Sequence, residues 1–271
     1  MSAPQYPSFE PPPGAAPQVP EPPALSPPEE NPPWTGWDVL ALAMLTLFFI
    51  FVFALLTTFA AQHFLFPRES PVEVAKYPLV IVAAQVLAYA VVLILMVILV
   101  RRGRRLPFWR SLRWNWPANW LGYLFGGVVL AVALQGLARL LPVPKELPID
   151  RYFQTTAEAW VVSLFGVTVA PLLEELFFRG FLYPVLVRRL GVVLAVLLTA
   201  LGFGLIHAPQ LGRAWAPVLV VFLVGLVLTI TRAVTKSVAA GVLIHMAYNG
   251  TISILIFLAS DGFRHLEKLN Q

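Results

Sequence analysis

Pro171-Leu172-Leu173-Glu174-Glu175-Leu176-Phe177-Phe178-Arg179 sets two adjacent carboxylates and a guanidinium inside an otherwise apolar run. Its surroundings decide what that means. The chain has 271 residues, 58% of them hydrophobic and only 12% charged, whereas ordinary soluble domains carry about 25% charged residues. Several apolar stretches reach the roughly 20 residues that a helix needs to cross a bilayer. The fold class is therefore all-α, a polytopic membrane helix bundle. A charge near the bilayer centre costs at least about 2.5–3.5 kcal/mol on insertion scales, so Glu174, Glu175 and Arg179 are expected to be paired, functional or both. The formal net charge is +5 and there is no cysteine, which excludes disulfides, thiolate nucleophiles and cysteine-bound metals.

Working outward, seven apolar spans emerge: Asp38–Phe66, Pro78–Val100, Trp120–Leu141, Ala157–Leu190, Gly191–His207, Ala214–Ala233 and Ser237–Ser260. Pro171 interrupts the fourth and is expected to bend it just before the carboxylates. Residues 1–35 hold 13 of the 25 prolines, four glutamates and no Lys or Arg, which reads as a disordered, Pro-rich tail. Trp34 and Trp37 read as interfacial aromatics at the first span. The chain divides into this tail (1–35), two N-terminal spans with a basic loop (36–116), a catalytic helix bundle (117–260, motifs in 155–260) and a polar tail (261–271). The basic loop, Arg101 to Trp116, has six arginines and no acid. With its tryptophans it reads as a cytoplasmic juxtamembrane loop and not as a nucleic-acid surface. The positive-inside rule then places the N-terminus in the cytoplasm and, after seven spans, the C-terminus outside. We find no internal repeat.

Three polar sets fall on successive late spans. Glu175 and Arg179 are four apart, share a helix face and can pair. Glu174 points about 100° away. It is left free in a low-dielectric site, as a candidate general base. Glu174 lies sixteen residues before Leu190, and His207 seventeen after it. At about 1.5 Å per residue both sit roughly 25 Å from the Arg188–Arg189–Gly191 turn, on antiparallel helices and at matching depth. Phe203 is one turn before His207, and Gly202 and Gly204 beside it allow close helix approach. On the last span His245 and Asn249 are four apart, with Gly241 and Ser253 extending the stripe. A His and an Asn that both donate hydrogen bonds suit an oxyanion. A carboxylate and a His facing a His and an Asn is the layout of a hydrolase acting on an amide.

Each set alone also fits a structural role: a buried ion pair, a packed histidine, an asparagine bonding between helices. Their coincidence on three apolar spans favours function. His63 and His265 lie near span boundaries or in the tail and read as non-catalytic. Gln135, Arg139 and Glu158 lie near helix ends, where long side chains can snorkel. Zinc is the other use for this set, through Glu174, His207 and His245 with an open position for water. No H-E-x-x-H is present. Metal-free glutamate catalysis and a His/His/Glu site both stay open from spacing, and no cofactor is assigned.

The three segments, Glu174-Glu175-Leu-Phe-Phe-Arg179, Phe203-Gly-Leu-Ile-His207 and His245-Met-Ala-Tyr-Asn249, together resemble the CPBP family of intramembrane proteases (CAAX-protease and bacteriocin-processing, or Abi, proteins). The resemblance covers roughly residues 155–260 and extends to Arg179-Gly180-Phe181-Leu182. It implies an intramembrane endopeptidase acting on membrane-associated peptides or proteins; eukaryotic members remove the last three residues of prenylated CAAX proteins, and prokaryotic members are mostly named metalloproteases. It implies that Glu174 acts with His207 to activate water, that His245 and Asn249 hold the oxyanion, and that Glu175 and Arg179 support them. From another functional class, a non-catalytic membrane scaffold or a proton-coupled transporter would use the same buried groups.

Overall fold

The computed structural model describes residues 32–103, 107–144 and 146–266. The expected tail up to residue 31, Arg104 and Arg105 of the basic loop, and residues 267–271 lie outside the described residues. The chain folds as a helix bundle: α1 (Gly36–Phe64), the short α2 (Pro71–Val74), α3 (Pro78–Gly103), the short α4 (Phe108–Ser111), α5 (Trp120–Ala138), a 3₁₀ turn (Pro148–Tyr152), α6 (Thr156–Val167), α7 (Val169–Glu175), a π-helix (Leu176–Leu182), α8 (Tyr183–His207), α9 (Trp215–Thr235) and α10 (Val238–Ala259). Among the described residues there is no strand.

Polar residues at the spans' edges start the helices. Thr35 and Asp38 form a capping box on α1, and Thr155 and Glu158 another on α6. Ser237 Oγ accepts from Ala240 N at the start of α10. Such caps satisfy N–H groups that no helical carbonyl reaches. Between the caps the helices present apolar side chains outward: Phe48, Phe51, Phe125, Val132, Leu194 and Leu255 are all exposed. The most buried side chains include Glu175, Arg179 and Arg232. That inverts the soluble pattern and fits a lipid-facing surface.

Six segments are long and apolar enough to cross a membrane, where the sequence predicts seven spans. The difference lies in the expected fourth and fifth, which run together as the 52-residue segment Thr156–His207. The chain nonetheless reverses inside it. Gly191 has a non-helical backbone (φ 78°, ψ 171°) at the expected turn. The reversal brings His207 within 4.0 Å of Glu174, whereas 33 residues of straight helix would separate them by about 50 Å.

The bend before the carboxylates occurs at Thr168 (φ −117°, ψ −71°), between α6 and α7. Pro171 explains its position: the ring clashes with the carbonyl four residues back and offers it no N–H. Pro171 falls in the first turn of α7, where a missing N–H costs little. The π-helix that follows has no counterpart in the sequence reading. Trp34 also departs from expectation. It is 2% exposed, stacks on Phe181 at 4.5 Å and donates Nε1–H to the Phe181 carbonyl, 3.0 Å away. Trp37, by contrast, is 76% exposed.

The bundle has two distinct ends. At one, Val238 N donates to the Arg113 carbonyl and Asn115 Nδ2 to that of Lys236, while Arg188 donates to the carbonyls of Pro32 and Trp34. At the other, Ile149 N donates to the Gln210 carbonyl and Thr156 Oγ1 to that of Phe263.

Glycines set the closest helix approaches. A Cβ on Gly127 of α5 would lie 2.4 Å from the Ile244 carbonyl oxygen and 2.7 Å from Ala247 Cβ of α10. Gly127→Ala must therefore push α5 away, and overpacking of this kind costs about 1–3 kcal/mol. The expected result is a lower unfolding temperature in detergent. Gly126→Ala, with open space within 4 Å, is the control that leaves it unchanged.

Candidate active site

Two carboxylates one residue apart enter different surroundings. Glu175 is fully buried with Arg179, whose Nη1 donates to Glu175 Oε1 at 2.7 Å. The guanidinium also donates through Nε to Thr229 Oγ1 (3.2 Å) and through Nη2 to the Gly225 carbonyl (2.8 Å). It packs 4.6 Å over the Phe203 ring, a favourable cation–π arrangement. Glu175 Oε2 has no hydrogen-bond partner and faces Gly241, where a Cβ would come within 2.7 Å of it. Gly241 thus lets Glu175 approach α10.

Glu174, by contrast, keeps 16% of its side chain exposed and His207 keeps 20%. His207 Nε2 lies 4.0 Å from Glu174 Oε1, and His245 Nε2 lies 3.8 Å from Glu174 Oε2. These separations exceed a direct hydrogen bond and suit one bridging water. The other ring nitrogens fix the orientation. His207 Nδ1 is 2.7 Å from the Phe203 carbonyl, and His245 Nδ1 is 3.1 Å from Glu175 Oε1. A carbonyl and an ionised carboxylate only accept, so each Nδ1 carries a proton. Both Nε2 atoms therefore turn toward Glu174. Phe203 holds the set laterally, its ring centroid 4.7 Å from that of His207 and 5.6 Å from that of His245.

A cavity of about 570 Å³ reaches Glu174, His207 and His245 and is also lined by Asn249 and Ser253. Asn249 stands on its wall, with Nδ2 donating to the Gly166 carbonyl at 2.7 Å near the α6–α7 bend. That bond occupies one of its two amide hydrogens. The structure thus brings Glu174, Glu175, Arg179, Phe203, His207 and His245 into one connected cluster, with Asn249 beside it. Arg179 also depends on α9, through Thr229 and Gly225, which carry no motif.

The second span joins the site as well. Gln85 and Tyr89 of α3 line the cavity, and Tyr89 stacks on Phe165 at 6.0 Å. Gln135, read as a snorkelling residue, and Tyr248 line it too. The Gln85–Tyr89 spacing is the signal that could have found them: two polar groups four apart in an apolar span share one face.

One carboxylate and two imidazoles are donors that zinc accepts. Yet among the described residues no three His, Asp or Glu side chains converge as a metal-binding group. The chemistry proposed below runs through the side chains alone.

Residues 156–251 match the family model described as type II CAAX prenyl endopeptidase Rce1-like. The matched segment runs from the first turn of α6 to two residues beyond Asn249 and contains all seven motif residues. No curated protein and no solved structure matches the chain.

Proposed function

We propose that this chain, whose residues 156–251 match the type II CAAX prenyl endopeptidase Rce1-like model, is a CAAX-protease-type intramembrane endopeptidase in which Glu174 and His207 activate the attacking water. One observation carries the reading: a partly exposed carboxylate lies 4.0 and 3.8 Å from two oriented imidazoles at a cavity wall.

A water between Glu174 and His207 donates one hydrogen to the carboxylate and the other to the free Nε2 lone pair. Its oxygen lone pair then points at the scissile carbonyl. On attack Glu174 takes the water's proton, and it delivers that proton to the amine as the C–N bond breaks. The carbonyl oxygen, now negative, needs donors. His245 supplies Nε2–H; since its Nδ1 already donates to Glu175, this requires the doubly protonated ring. The charges of the cluster then balance, with Glu174 and Glu175 against Arg179 and His245. Asn249 supplies its second amide hydrogen. Glu175 and Arg179 act as positioning residues through His245, and Phe203 through both imidazoles.

The test is mass spectrometry of membrane-associated peptides from cells expressing the wild-type chain or Glu174→Gln. New peptide termini should appear only with the wild type. Identical peptide sets would overturn the reading. Because no step uses a metal, EDTA or 1,10-phenanthroline should leave the rate of the purified protein unchanged. Inhibition reversed by added zinc would contradict the metal-free chemistry.

A further inference from the structure

Trp34 lies far in sequence from the matched residues 156–251, yet it reaches the element that carries Arg179. The π-helix Leu176–Leu182 holds Arg179 and, shortly after it, Phe181. Such helices are rare and occur frequently at functional sites. This one is short of donors at its end. Pro184, in the first turn of α8, has no N–H to give the Gly180 carbonyl four residues back. A buried carbonyl in such a stretch gains from a donor outside the helix.

Trp34 supplies one. Its Nε1–H goes to the buried Phe181 carbonyl at 3.0 Å, and its ring stacks on that of Phe181 at 4.5 Å. The segment that presents the ring is itself tied down. Arg188 of α8 donates Nη1–H to the Pro32 carbonyl (3.0 Å) and Nη2–H to the Trp34 carbonyl (3.2 Å). The buried apolar cluster that contains Trp34 joins Leu176 and Phe181 of the π-helix with Val238 and Val242 of α10. Trp34 therefore sits where the carrier of Arg179 meets the carrier of His245.

Those two side chains converge on one atom. Arg179 Nη1 and His245 Nδ1 lie 2.7 and 3.1 Å from Glu175 Oε1. A shift of the π-helix against α10 would disturb both separations and turn His245 Nε2 from Glu174. We propose that Trp34 is a positioning residue of the active site: it fixes the π-helix against α10 and so keeps Glu175 and Arg179 in register with His245. Its effect on rate rests on the protease reading; its hold on the π-helix does not.

Trp34→Phe tests this, because it keeps a ring against Phe181 and deletes the N–H. Trp37→Phe, at an exposed position nearby, is the control that changes nothing. Two quantities are read on the purified full-length variants in proteoliposomes: kcat and KM on one reporter peptide, normalised to folded protein, and amide hydrogen exchange of residues 176–183. For Trp34→Phe, kcat should fall about 10-fold with KM unchanged, since small misplacements of catalytic groups cost up to about 10²-fold. The 176–183 amides should exchange faster while those of α5 stay as in wild type. A merely structural Trp34 would lower the unfolding temperature of Trp34→Phe and leave the kcat of the folded protein at the wild-type value. That result overturns the proposal, and so does unchanged exchange in residues 176–183. Should the wild type show no Glu174-dependent cleavage, the protease reading falls and exchange alone decides. Faster exchange then upholds the hold of Trp34 on the π-helix, and unchanged exchange sinks it.

Discussion

Glu174→Gln is expected to lower peptide hydrolysis by about 10²–10⁴-fold, the usual loss when a positioned acid–base group is removed. The amide keeps the shape of the carboxylate but cannot take the proton from water. His207→Ala should cost a similar factor, because the same water loses its second acceptor. The two losses should not multiply: groups acting as one unit are strongly non-additive, so the double variant should be little slower than either single one. Rates of the purified variants on one reporter peptide measure this. Unchanged unfolding temperatures would show that chemistry, and not folding, was lost. Both side chains are partly exposed in the cavity, so neither substitution strips a fully buried ion of its partner.

Arg179→Met is expected to act on stability first. It leaves Glu175 fully buried, with Oε2 already unpartnered and Oε1 bonded only to His245. Removing one partner of a buried ion pair costs about 3–5 kcal/mol, a large share of the roughly 5–15 kcal/mol by which ordinary domains are stable. The guanidinium's contacts with Thr229 and Gly225 would be lost together, loosening α9 from the π-helix. Arg179→Lys should recover only part of the loss, because a single ammonium cannot span three acceptors set out as a planar fork. Pairing Arg179→Met with Glu175→Gln should recover more, since no uncompensated charge is then buried. Thermal unfolding in detergent orders the variants: wild type, then the double variant, then Arg179→Met.

Much of the site was legible because its determinants are local. The four-residue spacings of Glu175 with Arg179 and of His245 with Asn249 fix shared faces on any helix. Equal distances of Glu174 and His207 from the Gly191 turn fix their depth, and the 4.0 Å approach follows from that register. What was not legible depends on contacts distant in sequence. Trp34 looks interfacial by composition, yet a carbonyl 147 residues away takes its N–H. The run from Leu176 to Leu182 holds Gly180 and three phenylalanines, a weak helix sequence, yet nothing local announces a π-helix in particular. Asn249 sits on the expected face, but its bond to Gly166 arises from the bend that Pro171 imposes on another helix. Gln85 and Tyr89 lie in a span without a motif, and only the packing of α3 against α6 brings them to the cavity.

The central claim is that Glu174 directs a water molecule onto a peptide bond. Its most direct test is hydrolysis of a quenched-fluorescent membrane peptide by the purified chain in proteoliposomes prepared in H₂¹⁸O, with mass spectrometry of the products. The account predicts one ¹⁸O in each newly formed carboxyl terminus, and no product from Glu174→Gln. Undiminished cleavage by Glu174→Gln would contradict it.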